Sequence, residues 1–425
     1  MKQRAPDRRT VIKGACAAAA AVGTGSFAAA SASAQQSKPI SLPPWRWGNS
    51  STAPDAMLMF RGNGAHTFYG TGPVPETQPV VKWRFRTAVI NNVVRGTPVT
   101  WAGTGWTGTA VAFAGYVFVG SVGGYVYAFD AATGALKWQL KGRGMFKSSL
   151  CAWNNRLYIG NTDDLLRCID AETGAVLWTF NTGRDLDSSP CVIDGRLYIA
   201  GESGYLRCFD PMTGKQIWRT FVDGIGPGTL PGSNGSESSP AVADGEVYTS
   251  TYDGKLFSVE AASGRVRWVA STGDDTDSSQ VIHNDLVYAC AQEKAPYLYA
   301  FAREDGREVW RFDGRVAAYY ATPAAVGDRV WVGGDDGSIH CVDARSGARI
   351  WRFMTRGGIW SSPCVVDGKL IVGSRDHHLY CLDATTGQEV WKLQLDGRII
   401  SSPCILGGVI YIGTATGTFY SIGAA

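Results

Sequence analysis

One nine-residue pattern recurs along this chain of 425 residues and limits the folds that it can adopt. The pattern is Asp-x-x-Thr-Gly-x-x-x-Trp, in which Glu replaces Asp or Ser replaces Thr in some copies, and a degenerate copy at 301–310 loses the leading Asp. The tryptophans that end the copies are 40, 40, 50, 42, 41 and 40 residues apart: Trp138, Trp178, Trp218, Trp268, Trp310, Trp351 and Trp391. A period near 40 residues predicts a repeat architecture.

Each repeat holds four short apolar or aromatic runs separated by turn residues. A Ser-Ser-Pro-like start precedes an Asp-Gly or equivalent turn, a run such as Leu197-Tyr198-Ile199, a second glycine turn and a Leu-Tyr-Cys-like run. Alternating runs between Gly, Asp and Asn predict antiparallel strands joined by hairpins. Four strands per repeat predict a propeller blade, because a lone four-stranded sheet cannot cover both of its faces and radial stacking can.

The two ends of the chain predict the number of blades. The last repeat stops after Ser421-Ile422 without a tryptophan strand, whereas a spare strand at 81–85, which carries Trp83, precedes the first complete repeat. A ring closes without a free edge if this N-terminal strand completes the last blade. We therefore expect an all-β, eight-bladed propeller of four-stranded antiparallel blades at 81–425, with one tryptophan per blade packed between blades.

The first 34 residues predict an export signal. They begin with a basic segment, continue in an Ala/Gly-rich run and end in Ala32-Ser33-Ala34, which is typical of a cleavage site. Arg8-Arg9, followed by hydrophobic residues and Lys13, resembles the twin-arginine pattern. Cys16 lacks the leading Leu-like residue of a lipidation motif, and its lipidation stays an open question. We expect a signal peptide at 1–34, an N-terminal strap at 35–80 and a periplasmic or secreted protein.

Charge and hydropathy argue against two classes of partner. Without residues 1–34 the chain has 35 basic and 36 acidic residues and no run of Lys or Arg. It therefore lacks the electrostatic footprint of a protein that binds nucleic acid or an anionic membrane. No later segment reaches the roughly 18 uninterrupted apolar residues that a membrane helix needs. We expect a monomer that neither binds nucleic acid nor spans a membrane.

The cysteines follow the repeat as well. Nine remain after residue 34, and three pairs recur 17 residues apart: Cys151 and Cys168, Cys191 and Cys208, Cys364 and Cys381. Other repeats carry Ala, Val or Ser at the same positions, so we predict small buried side chains rather than disulfides or metal ligands.

The docking pattern resembles the tryptophan-docking repeat of the quinoprotein, or PQQ-like, β-propeller family. The strap at 59–67 also resembles the segment that precedes the first blade in many members, and the resemblance covers roughly residues 57–422. In size the chain is similar to the branch that contains the assembly lipoprotein of the Bam complex. The resemblance implies the fold, but not one function, because the family includes both non-catalytic scaffolds and dehydrogenases that use pyrroloquinoline quinone (PQQ).

One residue of each repeat is expected to line the axial mouth of the ring. The Ser-Ser-Pro position begins the innermost strand, so the residue just before it should face the mouth, and the ten-residue step from the first Ser position to the Tyr-like position aligns this residue in every blade. The aligned residues are Thr107, Lys147, Asp187, Glu237, Asp277, Tyr320, Trp360 and Ile400. Three consecutive carboxylates beside a lysine thus face an aromatic arc, and we predict ligand binding at Thr107, Lys147, Asp187, Glu237, Asp277, Tyr320 and Trp360.

Three interpretations of this mouth stay open. The carboxylates could be solvated groups around a wet channel, or could bind a cation, a sugar or a peptide beside the stacking surfaces of Tyr320 and Trp360. In the third, the family resemblance implies calcium and PQQ, with Asp187, Glu237 and Asp277 as metal ligands and Asp187 or Asp277 as a general base. The adjacent-cysteine disulfide and the haem segment of such dehydrogenases have no counterpart in this chain, and Lys147 is its main cation there.

The sequence therefore favours an exported, non-catalytic binding and assembly scaffold of the cell envelope that needs no cofactor. Its partner would be a protein, a small molecule or a saccharide, bound at the loops or the axial mouth. The longest linkers, at 95–107 and 224–237, are candidate contact sites because long loops on a rigid scaffold often carry function. The alternative is a dehydrogenase of alcohols or sugars that depends on PQQ and Ca²⁺.

Overall fold

Eight antiparallel sheets, arranged as the blades of a propeller, make up most of the described part of the chain. The computed structural model describes residues 55–94, 97–101, 103, 108–222, 235–292, 294 and 296–425. The predicted signal peptide, Thr107 and most of the two long linkers lie outside these residues. The expectation of an all-β, eight-bladed propeller is confirmed. Among the described residues, no helix has the length and apolar character that crossing a membrane requires.

The first four strands are β1 (Ala56–Met57), β2 (Val80–Arg86), β3 (Ile90–Val94) and β4 (Thr97–Trp101), of which β3 and β4 form a separate hairpin. Blade 1 contains β5 (Val111–Phe113), β6 (Tyr116–Gly120), β7 (Tyr125–Asp130) and β8 (Leu136–Lys141). Blade 2 contains β9 (Cys151–Trp153), β10 (Arg156–Ile159), β11 (Leu165–Asp170) and β12 (Val176–Asn181). Blade 3 contains β13 (Cys191–Ile193), β14 (Arg196–Ile199), β15 (Tyr205–Phe209) and β16 (Gln216–Phe221). Blade 4 contains β17 (Ala241–Ala243), β18 (Glu246–Ser250), β19 (Lys255–Glu260) and β20 (Val266–Ser271).

Blade 5 contains β21 (Val281–His283), β22 (Leu286–Cys290), β23 (Tyr297–Ala302) and β24 (Glu308–Asp313). Blade 6 contains β25 (Ala324–Val326), β26 (Arg329–Gly333), β27 (Ser338–Asp343) and β28 (Arg349–Met354). Blade 7 contains β29 (Cys364–Val366), β30 (Lys369–Gly373), β31 (His378–Asp383) and β32 (Glu389–Gln394). Blade 8 contains β33 (Cys404–Leu406), β34 (Val409–Gly413) and β35 (Thr418–Gly423). Its fourth strand is β2, which pairs antiparallel with β35 from Val80↔Gly423 to Arg86↔Thr418.

The tryptophan of each repeat joins two blades. Its indole Nε1 donates to the backbone oxygen of the residue that follows the Asp of the next repeat's pattern, for example from Trp138 to Ala171 at 3.0 Å. The other repeat bonds of this kind are Trp83 to Ala131, Trp178 to Pro211, Trp218 to Ala261, Trp268 to Arg303, Trp310 to Ala344 and Trp351 to Ala384. Trp391 donates instead to Pro75 of the strap at 2.8 Å. The predicted interblade role of these indoles is thereby confirmed.

The glycine of the repeat is required for two reasons at once. Gly214 has φ +71°, a conformation that residues with a Cβ rarely adopt. A Cβ placed there would also lie 2.7 Å from Cδ2 of Trp178, because the turn packs against the indole of the preceding blade. The glycine of each repeat therefore packs against the tryptophan of the preceding blade.

The Ser-Ser-Pro positions form a second connection between blades, near the axis. The amide of each second residue donates to the side-chain oxygen of the equivalent residue in the next blade. The donors and acceptors are Thr109 to Ser149, Ser149 to Ser189, Ser189 to Ser239, Ser239 to Ser279, Ser279 to Thr322, Thr322 to Ser362 and Ser362 to Ser402. Ser402 completes the circle by donating to the backbone oxygen of Gly108 at 3.3 Å. The motif thus serves blade-to-blade hydrogen bonding as well as starting the strand.

The strap contacts the innermost strands of several blades just beyond the serine positions. Its backbone and side-chain contacts are Leu58 with Ala152, Gly64 with Val242, Ala65 with Ile282, Tyr69 with Ala325 and Thr71 with Ile405. The buried guanidinium of Arg61 donates to the backbone oxygens of Pro323 and Pro363 and lies 4.5 Å from the ring centre of Tyr69. The strap therefore contacts residues that follow the serine positions, whereas the predicted mouth residues precede those positions.

The buried apolar clusters each contain residues of neighbouring blades. One includes Tyr248 of blade 4 and Phe301 of blade 5, and another includes Tyr288 of blade 5 and Val342 of blade 6. The nine cysteines of the described chain are buried free thiols inside such packing, which confirms their prediction as small core side chains.

Candidate functional site

The residues predicted for the axial mouth meet across neighbouring blades. Lys147 contacts Asp187, Asp187 lies beside Glu237, and Tyr320 lies beside Trp360. Each of them lies two residues before the serine or threonine that takes part in the hydrogen-bonded circle, so that circle positions them. Thr107, which is the residue of blade 1 that was predicted to line the mouth, lies outside the described residues.

An ion pair between Lys147 and Asp187 forms the first part of the mouth. The two side chains are 6% and 3% exposed. Burial alone would lower the pKa of Lys147, but the charges of Asp187, Glu237 and Glu202 outweigh it and raise that pKa above its usual value. Burial raises the pKa of Asp187 too, against the opposing charge of Lys147 and with further repulsion from Glu237. The two shifts therefore differ in their main cause, which is the neighbouring carboxylates for Lys147 and burial for Asp187.

Three carboxylates converge next to this ion pair. One oxygen each of Asp187, Glu202 and Glu237 lies within 4.8 Å of the other two. Burial, followed by the charges of Asp187 and Glu237, raises the pKa of Glu202 to about 8. The second oxygen of Asp187, Oδ1, is buried and accepts no hydrogen bond. We call Asp187, Glu202 and Glu237 the carboxylate trio.

Glu202 was not among the predicted site residues, and Asp277, which was, is not part of the trio. Asp277 is half-buried, and its charge reaches the trio's neighbour Tyr252. Burial and the charges of Glu237, Glu202 and Asp277 raise the pKa of Tyr252 well above its usual value. The hydroxyl of Tyr252 donates to Oε1 of Glu202 at 3.2 Å.

Across the ring from the carboxylate trio, blades 6 and 7 carry a cluster of aromatic side chains. The rings of Tyr320 and Trp360 are tilted by 51° with their centres 4.8 Å apart. The guanidinium of Arg375 lies 4.4 Å from the ring centre of Trp360. Asp335 Oδ1 accepts from Trp360 Nε1 at 2.6 Å and from Arg375 at 3.0 Å, so it fixes both side chains.

The residues that sequence reasoning missed share one repeat position. They occupy one aligned position in the turns between the second and third strands: Glu202, Tyr252, Gln292, Asp335 and Arg375. In each case the amide donates to the backbone oxygen two residues before the mouth residue of the same repeat, for example from Glu202 to Asp185 at 3.1 Å. The signal that identifies these residues in the sequence is their common position in the repeat, since they form a second set of aligned residues beside those of the innermost strands.

The charged side chains of the mouth are suited to a metal ion but not to a quinone. Carboxylate oxygens at this spacing suit Ca²⁺, so the trio fits the metal. PQQ is a tricarboxylate and needs converging cations, yet Lys147 is paired with Asp187 and Arg375 with Asp335. The acidic half of the mouth therefore does not fit the quinone.

Solved structures of similar fold include both enzymes and assembly factors. "Europium-containing methanol dehydrogenase" aligns with a TM-score of 0.71 at 16% identity, over 87% of this chain and 98% of the other. Quinohemoprotein alcohol dehydrogenase from Comamonas testosteroni aligns with 0.72 at 14% identity, over 89% and 82%. BamB from Moraxella catarrhalis aligns with 0.56 at 17% identity, over 81% and 100%. At these identities the likeness shows the fold alone.

Sequence comparison is more specific. No significant match is found among curated protein sequences. The model of one family, described as outer membrane protein assembly factor BamB, matches residues 81–312 and 335–425, which is well over half of the chain. The eight blades, their docking tryptophans and this match agree, and the chain belongs to that family.

Proposed function

We propose that this protein is an exported, non-catalytic binding and assembly scaffold of the cell envelope, and that its axial mouth holds the partner. The observation that carries the proposal is the two-sided mouth. One side presents the carboxylate trio and the other the Tyr320–Trp360 cluster, on a ring held rigid by hydrogen bonds between blades. A rigid frame with polar and aromatic groups on opposite sides is suited to recognition, since little entropy is lost on binding.

The family supports this proposal, because the description of its model names an assembly factor of the outer membrane. A protein with that role works outside the cytoplasm, as the twin-arginine-like segment at 1–34 also suggests. The position of the strap adds a geometric argument. Arg61 contacts Pro323 and Pro363, which follow the serine positions, whereas the mouth residues precede them, so we expect a partner to approach the side away from the strap.

Quantitative affinity capture from envelope fractions tests this function. Immobilised protein would be compared with a Tyr320→Ala/Trp360→Ala variant and with Val309→Ala, whose side chain is 40% exposed on the outer strand of blade 5. We expect a discrete partner that the wild type and the Val309 variant retain and the aromatic variant loses. Equal capture by all three proteins, or no specific capture, would count against the mouth as the binding surface.

The second candidate is a PQQ- and calcium-dependent dehydrogenase of alcohols or sugars, and the carboxylate trio is the observation in its favour. In that case Asp187, Glu202 and Glu237 would hold the calcium ion, whereas the quinone does not fit the acidic half of the mouth, because Lys147 and Arg375 are already paired with Asp187 and Asp335. Adding PQQ and CaCl₂ and following absorbance and dye reduction with alcohols or sugars tests it. Saturable quinone binding with substrate-dependent dye reduction would establish the enzyme and overturn the scaffold.

A further inference from the structure

Blade 3 carries two arginines on one face of its sheet. Arg207 of β15 and Arg219 of β16 are directly opposite each other in the antiparallel pair. Their guanidinium carbons lie 5.0 Å and 4.7 Å from the ring centre of Tyr205. In the described part of the chain, neither guanidinium forms an ion pair with an Asp or a Glu. Like charges that face each other across two strands are destabilising, so this pair favours the arrival of an anion.

The guanidinium of Arg207 is buried and only partly hydrogen-bonded. The residue is 4% exposed, and its two Nη atoms donate to Oγ of Ser203 at 2.7 Å and to the backbone oxygen of Thr182 at 3.3 Å. Its Nε is buried and has no hydrogen-bond acceptor. Burial, followed by the charge of Arg219, lowers the pKa of Arg207 to about 10. A buried cation with an unused donor is unfavourable unless an acceptor joins it.

The equivalent arginine of blade 2 has an acidic partner in the turn before its strand. Arg167 and Asp163 lie 40 residues before Arg207 and Ser203, at the same positions of the repeat. The two Nη interactions of Arg167 reach both oxygens of the Asp163 carboxylate. In blade 3 a serine replaces that aspartate, although the arginine is kept.

Blade 6 shows that the second arginine can use a partner at the same turn position. Arg352 and Asp336 occupy the repeat positions of Arg219 and Ser203, and Arg352 donates to Oδ2 of Asp336 at 3.0 Å. A carboxylate at this turn position therefore pairs with the third-strand arginine in blade 2 and with the fourth-strand arginine in blade 6. Blade 3 has both arginines but a serine at the position of the acid.

We propose that Arg207 and Arg219 form a binding site for a carboxylate group of a ligand, which takes the place that Asp163 and Asp336 fill in blades 2 and 6. The two guanidiniums would donate charge-assisted hydrogen bonds to it, and the hydroxyl of Ser203 would donate a further one. The third and fourth strands of blade 3 form this site, whereas the mouth residues precede the innermost strands. The inference therefore does not depend on the proposed function.

Two sources provide a group of this chemistry: a small free carboxylate and a Glu or Asp side chain of a polypeptide. An apolar surface borders the site, because Phe221 is 49% exposed and its ring centre lies 5.3 Å from that of Tyr205. A polypeptide would cover this surface with the residues beside its acidic side chain, whereas a short free acid would leave it exposed. The two sources therefore differ in the affinity that they should show.

Titration of the full chain with propionate and with blocked Gly-Gly-Glu-Gly-Gly tests the site by calorimetry and thermal shift at constant ionic strength. Propionamide and blocked Gly-Gly-Gln-Gly-Gly are the neutral controls. We expect each carboxylate to bind about tenfold more tightly than its amide, as one charge-assisted contact implies. Tighter binding of the peptide than of propionate would identify a polypeptide as the source, and equal binding would identify a small acid.

Ser203→Asp supplies the acidic partner that blades 2 and 6 contain. It should raise the thermal midpoint of the protein without ligand and reduce the affinity for both carboxylates by about tenfold. Arg219→Gln, at an exposed position, should remove the preference for a carboxylate over an amide. Lys215→Gln, at an exposed turn of the same blade, changes the net charge equally and should retain that preference.

Equal binding of carboxylates and amides overturns the proposal, as does a preference that survives in Ser203→Asp or in Arg219→Gln. A lower thermal midpoint for Ser203→Asp would show that an acid does not fit between the two arginines, and would overturn it as well. Tighter binding of inorganic phosphate than of propionate would overturn the assignment to a carboxylate.

One further variant examines the nearest acid along the chain. Asp223 follows Arg219 by four residues and lies outside the described residues. We expect Asp223→Asn to bind propionate as the wild type does. A tenfold gain in affinity would mean that Asp223 itself pairs with the two arginines, and would overturn the proposal.

Discussion

The amide of Ser149 donates to Oγ of Ser189, 2.9 Å away in the next blade, and the same bond recurs around the axis. Ser189→Ala would leave the buried amide of Ser149 unpaired, which costs about 1–3 kcal/mol. Ser189→Thr keeps the hydroxyl and should reduce stability less, because a threonine, Thr322, already occupies the equivalent position in blade 6 and accepts the same kind of bond. Urea denaturation measures both changes. Equal loss of stability in the two variants would show that the hydroxyl does not carry the effect.

The glycine of the docking pattern has a matched control within the same blade. Gly214 and Gly195 have φ values of +71° and +70°, but only Gly214 lies against an indole, that of Trp178. Gly195→Ala should cost about 1–2 kcal/mol from backbone strain. Gly214→Ala should cost about 1–3 kcal/mol more, because the new methyl group displaces Trp178. Similar denaturation midpoints for the two variants would contradict this account of the motif.

The ion pair of Lys147 and Asp187 should behave asymmetrically. Lys147→Met leaves the carboxylate trio without its cation and should destabilise the protein by about 3–5 kcal/mol at pH 7. Asp187→Asn should cost less, because Glu237 and Glu202 still act on Lys147. A double-mutant cycle by denaturation at pH 7 measures the coupling. Additive losses, or a larger loss for Asp187→Asn, would refute this description of the cluster.

Glu202 should make folding stability depend on pH in an unusual direction for an acid. Its pKa rises from 4.5 to about 8 on folding, so the folded state binds the proton more tightly than the unfolded chain does. The resulting stabilisation is complete below about pH 4.5 and is lost as the pH rises through about 8. Glu202→Gln should therefore melt higher than the wild type at pH 9, with a smaller difference at pH 5. Glu172→Gln, at an exposed turn of blade 2, serves as the control, and a constant difference across this range would contradict the raised pKa.

The sequence predicted the ring and half of the mouth for physical reasons that are local. The Gly214–Trp178 contact and the start of each innermost strand recur with the repeat period, so alignment alone locates Lys147, Asp187, Tyr320 and Trp360. The sequence does not predict that Glu202 belongs to the site, because its turn resembles any other hairpin turn. Its proximity to Asp187 depends on the direction of its side chain, which the repeat pattern does not reveal. The sequence does not predict the contacts of Arg61 either, since their partners lie 262 and 302 residues away along the chain.

Crosslinking inside cells tests the central claim, that the axial mouth is the surface that binds the partner. A photo-reactive phenylalanine analogue would replace Tyr320 at the mouth or Val309 on the outer strand of blade 5 in otherwise unchanged full-length chains. The account predicts a discrete crosslinked species in the envelope fraction from position 320 and none from position 309. Crosslinks from position 309 alone would place the partner on the outer rim and contradict it.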